Sequence, residues 1–139
     1  MSIQPGASIK VAEVMLSLDL CPVVSTPSIL KAILDCMDQN RLGVVCITDK
    51  SGCLTGILTE GDLRRILLRV QKPLAAILAD DVDVYAVGDP VTVFLDTSLK
   101  EAVLLMEAKR IWDLPVVTPE GKLVGLLHLH QAILSLITT

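Results

Sequence analysis

Aromatic side chains are nearly missing from this chain. Trp112, Tyr85 and Phe94 are the three it has, too few for the stacking platforms that hold single-stranded nucleic acid. A basic cluster is missing as well: twelve Lys and Arg face sixteen Asp and Glu, for a formal charge of −4. That balance excludes a partner gripped mainly through a phosphate backbone. No stretch approaches the roughly 18 apolar residues that a membrane-spanning helix requires, so neither nucleic acid nor a membrane is expected as a partner. Cys21, Cys36, Cys46 and Cys53 form no C-x-x-C pair and follow no secretory signal. They read as reduced, apolar core residues of a cytoplasmic protein. Nor does the sequence offer a nucleophile with its base, a pair of carboxylates at catalytic spacing or a metal-ligand cluster, and the expectation is a chain that is not itself an enzyme.

What the chain has in quantity is apolar surface. Hydrophobic residues make up 52% of its 139 positions, and a small soluble unit has difficulty burying that much alone. Part of it is therefore expected to lie against another domain or a second copy, as a homodimer. The length suits one compact domain or two very small units sharing a core.

Self-similarity organises the sequence. Residues 28–63, SILKAILDCMDQNRLGVVCITDKSGCLTGILTEGDL, are answered by residues 98–132, SLKEAVLLMEAKRIWDLPVVTPEGKLVGLLHLHQA. Ser28 aligns with Ser98 and Ala32 with Ala102 at an offset of 70, and a one-residue deletion in the turn brings Gly56 onto Gly125 at 69. Ser28 reads as the N-cap of an amphipathic helix carrying Ile29, Leu30, Ile33, Leu34 and Met37. Ser98 and Glu101 read as a capping box ahead of Ala102, Val103 and Met106.

Two β-rich runs follow, residues 44–47 and 54–58, joined by Asp49-Lys50-Ser51-Gly52, a hairpin composition. The second copy has residues 114–117 and 123–127 around Pro119-Glu120-Gly121. Each hairpin leads into a second helix, marked by Leu63, Ile66, Leu67 and Val70 in the first copy and by residues 130–137 in the second. Extended lead-ins at residues 23–25 and 91–94 complete the units. The link from Lys72-Pro73 to Pro90 joins them, with Gly88 and Pro90 marking an irregular end. The predicted fold class is α/β, of α+β type: two βαββα units, residues 1–75 and 76–139, paired about a pseudo-two-fold because one unit alone leaves a sheet face bare.

Candidate chemistry gathers where strands hand over to helices. Thr59 ends an apolar strand and Asp62 falls in the first turn of the next helix. Exposed amides there favour anionic oxygens, a hydroxyl can donate or accept beside them, and the carboxylate suits a vicinal diol. Gly61 allows close backbone approach. The same Thr and Asp also read as a helix cap with no ligand at all. Arg64 and Arg65 read either as a phosphate grip, Arg65 being the weaker one, or as solvated or intersubunit side chains.

In the second copy His128 stands at the Thr59 position and Gln131 at the Asp62 position, so the diol-binding acid is lost and two equivalent sites are not expected. His128 and His130 supply two metal ligands at most. Ligand hydrogen bonding, packing, or facing a neighbouring domain remain open for them. Lys109, Arg110 and Trp112 make a basic and aromatic corner in which Trp112 is either an interface or cleft-lid residue whose indole could cover a base, or a large ring partly buried.

The duplicated pattern resembles the cystathionine β-synthase (CBS) domain, which occurs in tandem. The lead-in VAEVM at 11–15, the glycine-turn hairpin and the closing Gly-Ile-Leu-Thr-Glu-Gly-Asp-Leu carry the likeness over nearly the whole chain. GILTEGDLRR followed by GLLHLHQAIL is similar, more narrowly, to the C-terminal CBS pair of arabinose 5-phosphate isomerases, whose N-terminal sugar isomerase domain has no counterpart here. MSIQPGASIK reads as a short start with no room for catalysis.

The resemblance implies a regulatory module that binds an adenine nucleotide (AMP, ADP or ATP), a CMP-sugar or a sugar phosphate in clefts between its repeats, requires no cofactor, and reports to a sugar isomerase domain. It places Thr59 and Asp62 on the family's Ser/Thr-x-x-Asp positions, near ribose and phosphate. A ligand-free dimerisation module that holds partner domains together is the alternative.

Overall fold

The computed structural model describes residues 9–138. In chain order its strands and helices are β1 (Leu16–Ser17), β2 (Val23–Ser25), α1 (Leu30–Asn40), β3 (Val44–Thr48), β4 (Leu54–Thr59), α2 (Glu60–Arg69), α3 (Leu74–Ala79), α4 (Leu99–Lys109), β5 (Asp113–Val117), β6 (Leu123–His128) and α5 (Leu129–Thr138). Single 3-10 turns at Val11–Glu13, Leu18–Leu20 and Val82–Val84 punctuate the loops. The expected mixed α/β fold is present, with βαββα order in the first half; in the second the expected lead-in at residues 91–94 is reduced to a single bridge from Val93 to Val116.

The compact units in space divide the chain differently from the boundary at 75/76. One comprises residues 21–90 and the other residues 1–20 with 91–139. The first copy therefore keeps the link as part of its own fold, and residues 9–20 fold with the second copy.

In the unit of residues 21–90 the sheet order is β2-β3-β4, with β2 parallel and β4 antiparallel to the central β3. All five residues of β3 are buried, as befits a strand paired on both edges. Helix α1 covers the sheet with Leu30, Ile33 and Met37, an i, i+3, i+7 stripe that joins Val45, Ile47 and Leu58 in the core. Ile77 of α3 and Val82 complete that core. The link carries a helix and a 3-10 turn before the irregular end at residues 88–90, and Asp80 anchors it by accepting from Tyr85 Oη and pairing with Lys72 Nζ at 2.5 Å.

The other unit has the same hairpin and helix, but its sheet order is β1-β6-β5, with β6 central and both pairings antiparallel; Leu99, Ala102 and Met106 of α4 pack on Leu114, Val116 and Leu127. Val11 does here what Val82 does in the first half. The Val11 N–H donates to Thr97 C=O at 2.8 Å and the Val82 N–H to Ser28 C=O at 2.9 Å. Residue 16 then pairs with Leu126 as Val87 pairs with Ile57. These close approaches explain the repeated glycine. A Cβ on Gly125 would lie 2.7 Å from the Leu16 carbonyl oxygen, and one on Gly56 would lie 3.1 Å from that of Val87.

Two expectations change at the helix starts. Ser28 does not cap α1: its hydroxyl donates to Ser25 C=O at 2.7 Å, and Ile29 occupies the cap position without a side-chain bond. Ser98 does cap α4, accepting the Glu101 N–H at 3.1 Å, which is the Ser98 half of the expected box. Since Ile29 and Ser98 are equivalent caps, the offset is 69 from the helices onward, and no deletion occurs in the turn. Gly52 and Gly121, both at positive φ, match at that offset.

Candidate functional site

In the first half Thr59 leaves β4 extended (φ −114°, ψ 167°) and becomes the N-cap of α2. Its N–H donates to Asp62 Oδ2 at 2.9 Å, its hydroxyl donates to the same oxygen at 3.0 Å, and that hydroxyl accepts the Asp62 N–H at 3.2 Å. The result is a capping box closed by Asp in place of the commoner Glu. Arg65, one turn on, pairs with the other carboxylate oxygen at 2.5 Å. Thr59, Asp62 and Arg65 are therefore brought together, with Asp62 only 15% exposed.

Cap and ligand contact are not rivals in this geometry, because the same hydroxyl and carboxylate stay at the mouth of the helix, where amide donors face outward. A Cβ on Gly61 would make ordinary contacts of 3.6 Å with Thr59 Oγ1 and the Arg65 guanidinium. Its smallness thus serves no packing need at that spot. Arg64 is exposed and has no ion pair among the described residues.

The second half uses the same ladder with other chemistry. Asp113 pairs with His128 in the register that pairs Val44 with Thr59. Trp112 C=O accepts the Leu129 N–H at 2.8 Å, as Gly43 C=O accepts the Glu60 N–H at 2.9 Å. His128 Nδ1 lies 2.7 Å from Asp113 Oδ1, the side chains being 30% and 14% exposed. Burial holds the Asp113 carboxyl above the ordinary carboxylate range, and the hydrogen bond from His128 draws it part of the way back.

Asp113 is the residue that the sequence reading missed. A hairpin fixes antiparallel register, but counting outward from the Val117–Leu123 pair would set residue 113 opposite 127; the irregularity between Val116 and Val117 moves it opposite His128.

The other expected residues are placed as follows. His130 and Gln131 lie exposed on the first turn of α5. Lys109 closes α4, and Arg110 is its left-handed C-cap (φ 54°), the counterpart of Arg41 (φ 53°). Trp112 is 69% exposed, so the partly buried reading of its ring gives way to a free indole face. Among the described residues no group of three His, Cys, Asp or Glu could hold a metal ion.

A cleft of about 380 Å³ opens in the first half between α1 and the start of α2, floored by Leu34, Met37, Leu42 and Leu63 and edged by Asp38, Arg41 and Glu60. None of the expected ligand residues lines it. No helix among the described residues is long and apolar enough to cross a membrane.

Against known proteins, the family model for the CBS domain matches residues 11–69 and 81–137. The second match begins within the link, where the fold places the counterpart of the 11–15 lead-in. The arabinose 5-phosphate isomerase KdsD of Pseudomonas aeruginosa is 32% identical over 123 residues, 88% of this chain and 36% of that protein. KpsF of Escherichia coli is 30% identical over 110 residues, 79% of this chain and 32% of that protein. The chain thus spans about a third of the length of these relatives. Among solved structures, the CBSX2 protein of Arabidopsis thaliana in complex with AMP has a TM-score of 0.81 at 22% identity, covering 93% of this chain and 96% of that one. The CBS domain pair of MJ0100, in complex with 5-methylthioadenosine and S-adenosyl-L-methionine, has a TM-score of 0.74 at 17% identity, covering 88% and 90%.

Proposed function

We propose, from the fact that this chain belongs to the CBS domain family, that it is a non-catalytic regulatory module. In this reading it takes an adenine nucleotide, a nucleotide-sugar or a sugar phosphate and serves a sugar-phosphate isomerase in the cytoplasm, with no cofactor of its own. The observation that carries the reading is the convergence of Thr59, Asp62 and Arg65 on the first turn of α2. A hydroxyl, a carboxylate and a guanidinium at a helix start supply the contacts that a ribose and a phosphate need. The AMP bound by CBSX2 supports a nucleotide as the ligand, and the isomerase relatives support the partner.

Ligand binding stabilises the folded state by mass action, about 2.7 kcal/mol at about a hundredfold excess over Kd. A thermal-shift series with AMP, ADP, ATP, CMP, CMP-sugars and sugar phosphates tests the reading. A rise of several degrees with one member supports it, and no shift with any member removes it.

A second reading, a dimerisation module that needs no ligand, is favoured by exposed apolar side chains: Leu67 and Leu68 on α2, and Ile133, Leu134 and Ile137 on α5. It requires a homodimer at micromolar concentration in size-exclusion chromatography, indifferent to every ligand in the series.

A further inference from the structure

The Asp113–His128 pair is dispensable for the hairpin that carries it. Val44 and Thr59 hold the same positions in the first half and form the same ladder, with the same irregularity one residue before the turn. Asp113 even burdens the strand, since a carboxylate 14% exposed has surrendered most of its water. Its visible return is the hydrogen bond to His128.

That bond has a chemical consequence. An ionised carboxylate only accepts, so at 2.7 Å the proton between the groups sits on Nδ1. In a neutral imidazole the other nitrogen then carries a lone pair. Nε2 has no partner among the described residues, and no side-chain nitrogen or oxygen there is both buried and unpartnered. Nε2 therefore reaches solvent. The first half offers nothing similar, because the Thr59 hydroxyl is engaged as donor and acceptor with Asp62.

We propose that Asp113 is a positioning residue that fixes His128 in its Nδ1–H tautomer, so that Nε2 stands as a hydrogen-bond acceptor for an N–H or O–H donor of the ligand. The ligand half of this rests on the nucleotide reading above; the tautomer does not. Two sources carry such a donor on AMP, the exocyclic amine of the base and the ribose hydroxyls.

The tautomer is read first, on ligand-free protein labelled with 15N at histidine, at about pH 8.5, well above the ordinary imidazole range. His128 and His130 are the two histidines of the chain. The long-range 1H–15N pattern of His128 is expected to show a protonated Nδ1 and a bare Nε2. Asp113→Leu should shift it toward the Nε2–H form, while Asp113→Asn, which keeps an acceptor, should not. Exposed His130 serves as the internal reference.

Titrations then use AMP, inosine 5′-monophosphate, which lacks the amine, and 2′-deoxy-AMP, which lacks one hydroxyl. His128→Leu and His128→Asn should weaken AMP about three- to tenfold and leave unchanged the analogue that lacks the contacted donor. His128→Gln, whose amide oxygen reaches the Nε2 position, should restore most of the affinity. A wild-type Nε2–H tautomer overturns the proposal without any ligand. AMP binding that is indifferent to His128 overturns it with the tautomer intact. Absence of binding by all three nucleotides to the wild type defeats the nucleotide reading itself, and the acceptor role with it.

Discussion

Position by position along their hairpins, the two halves carry one ladder and two chemistries. Both have a buried first hairpin strand, a glycine under an incoming backbone, and a left-handed arginine closing the first helix. They part company at the strand exit. Beside Val44, Thr59 and Asp62 make a capping box with Arg65 on it, whereas Asp113 and His128 make a carboxylate–imidazole pair that leaves Gln131 in solvent. The duplicated scaffold thus constrains pairing and close approach while leaving exit residues free to diverge. Specificity in such a module should therefore differ between halves that fold alike.

The sharpest way to break this comparison is through the glycines, which belong to the shared part. Gly125→Ala drives a Cβ to 2.7 Å from a backbone oxygen that its own strand pairing holds in place, while Gly56→Ala meets Val87 O at 3.1 Å and the Ala86 side chain at 3.2 Å. Overpacking costs typically run from about 1 to about 3 kcal/mol. The expected losses in urea unfolding are about 3 kcal/mol at 125 and about 1 kcal/mol at 56. Equal losses would mean that the lead-in of the second half moves aside as easily as the link does.

Next comes the exit pair. His128→Leu leaves the Asp113 carboxylate buried without its donor, which costs about 2 kcal/mol at neutral pH. The cost has a pH sign. A carboxyl raised by folding favours the folded state fully below its ordinary value near about 3.9, and that contribution is lost as pH rises through the raised value. Without His128, burial acts alone and the raised value moves higher. Melting curves from about pH 4 to about pH 7 should show the variant falling progressively behind the wild type as pH rises. A deficit that does not change across that range would show that Asp113 finds another donor.

How much of this could be read from residues alone depended on whether the signal was local. Hairpins, helices and the glycine turns were legible, since period and turn composition are local properties. The register was off by one because Ser28 looks like a cap, yet its hydroxyl bonds back to Ser25 and the cap falls on Ile29. The end of the link was read as irregular from Gly88 and Pro90, and its apolar run at Leu74–Ala79 is too short to declare itself a helix. Only the fold shows that Val82 and Val87 repeat the tasks of Val11 and Leu16. Thr59 with Asp62 was legible as a pair at helical spacing, and Arg65 as their neighbour. Asp113 was not, because its meaning comes from a partner across the sheet.

Thr59→Ala should cost about 1 kcal/mol through the lost cap. The change removes a hydroxyl and no charge, so the deficit in chemical unfolding is expected to be nearly flat between about pH 5 and about pH 8. Set beside His128→Leu, a flat deficit in one half and a sloping one in the other would express the divergence of the two exits in a single measurement. A steep slope in the Thr59 variant would overturn that contrast.

The smallest effect tests the shared part once more. Arg41 and Arg110 sit in left-handed geometry at φ 53° and 54°, where a Cβ is unfavourable and glycine is not. Each change to glycine relieves that strain and is opposed by the added freedom of the unfolded chain. Gains of about 0.5 kcal/mol, equal in the two halves, are expected if both arginines act only as helix ends. Arg110 neighbours the exposed Trp112 and belongs to the corner read from sequence as a ligand contact. If it serves there, Arg110→Gly should keep the stability gain and lower nucleotide affinity, whereas Arg41→Gly should keep both. Thermal melts with and without AMP separate the two outcomes, because a difference in ligand-induced shift between variants of equal stability cannot come from the backbone they share.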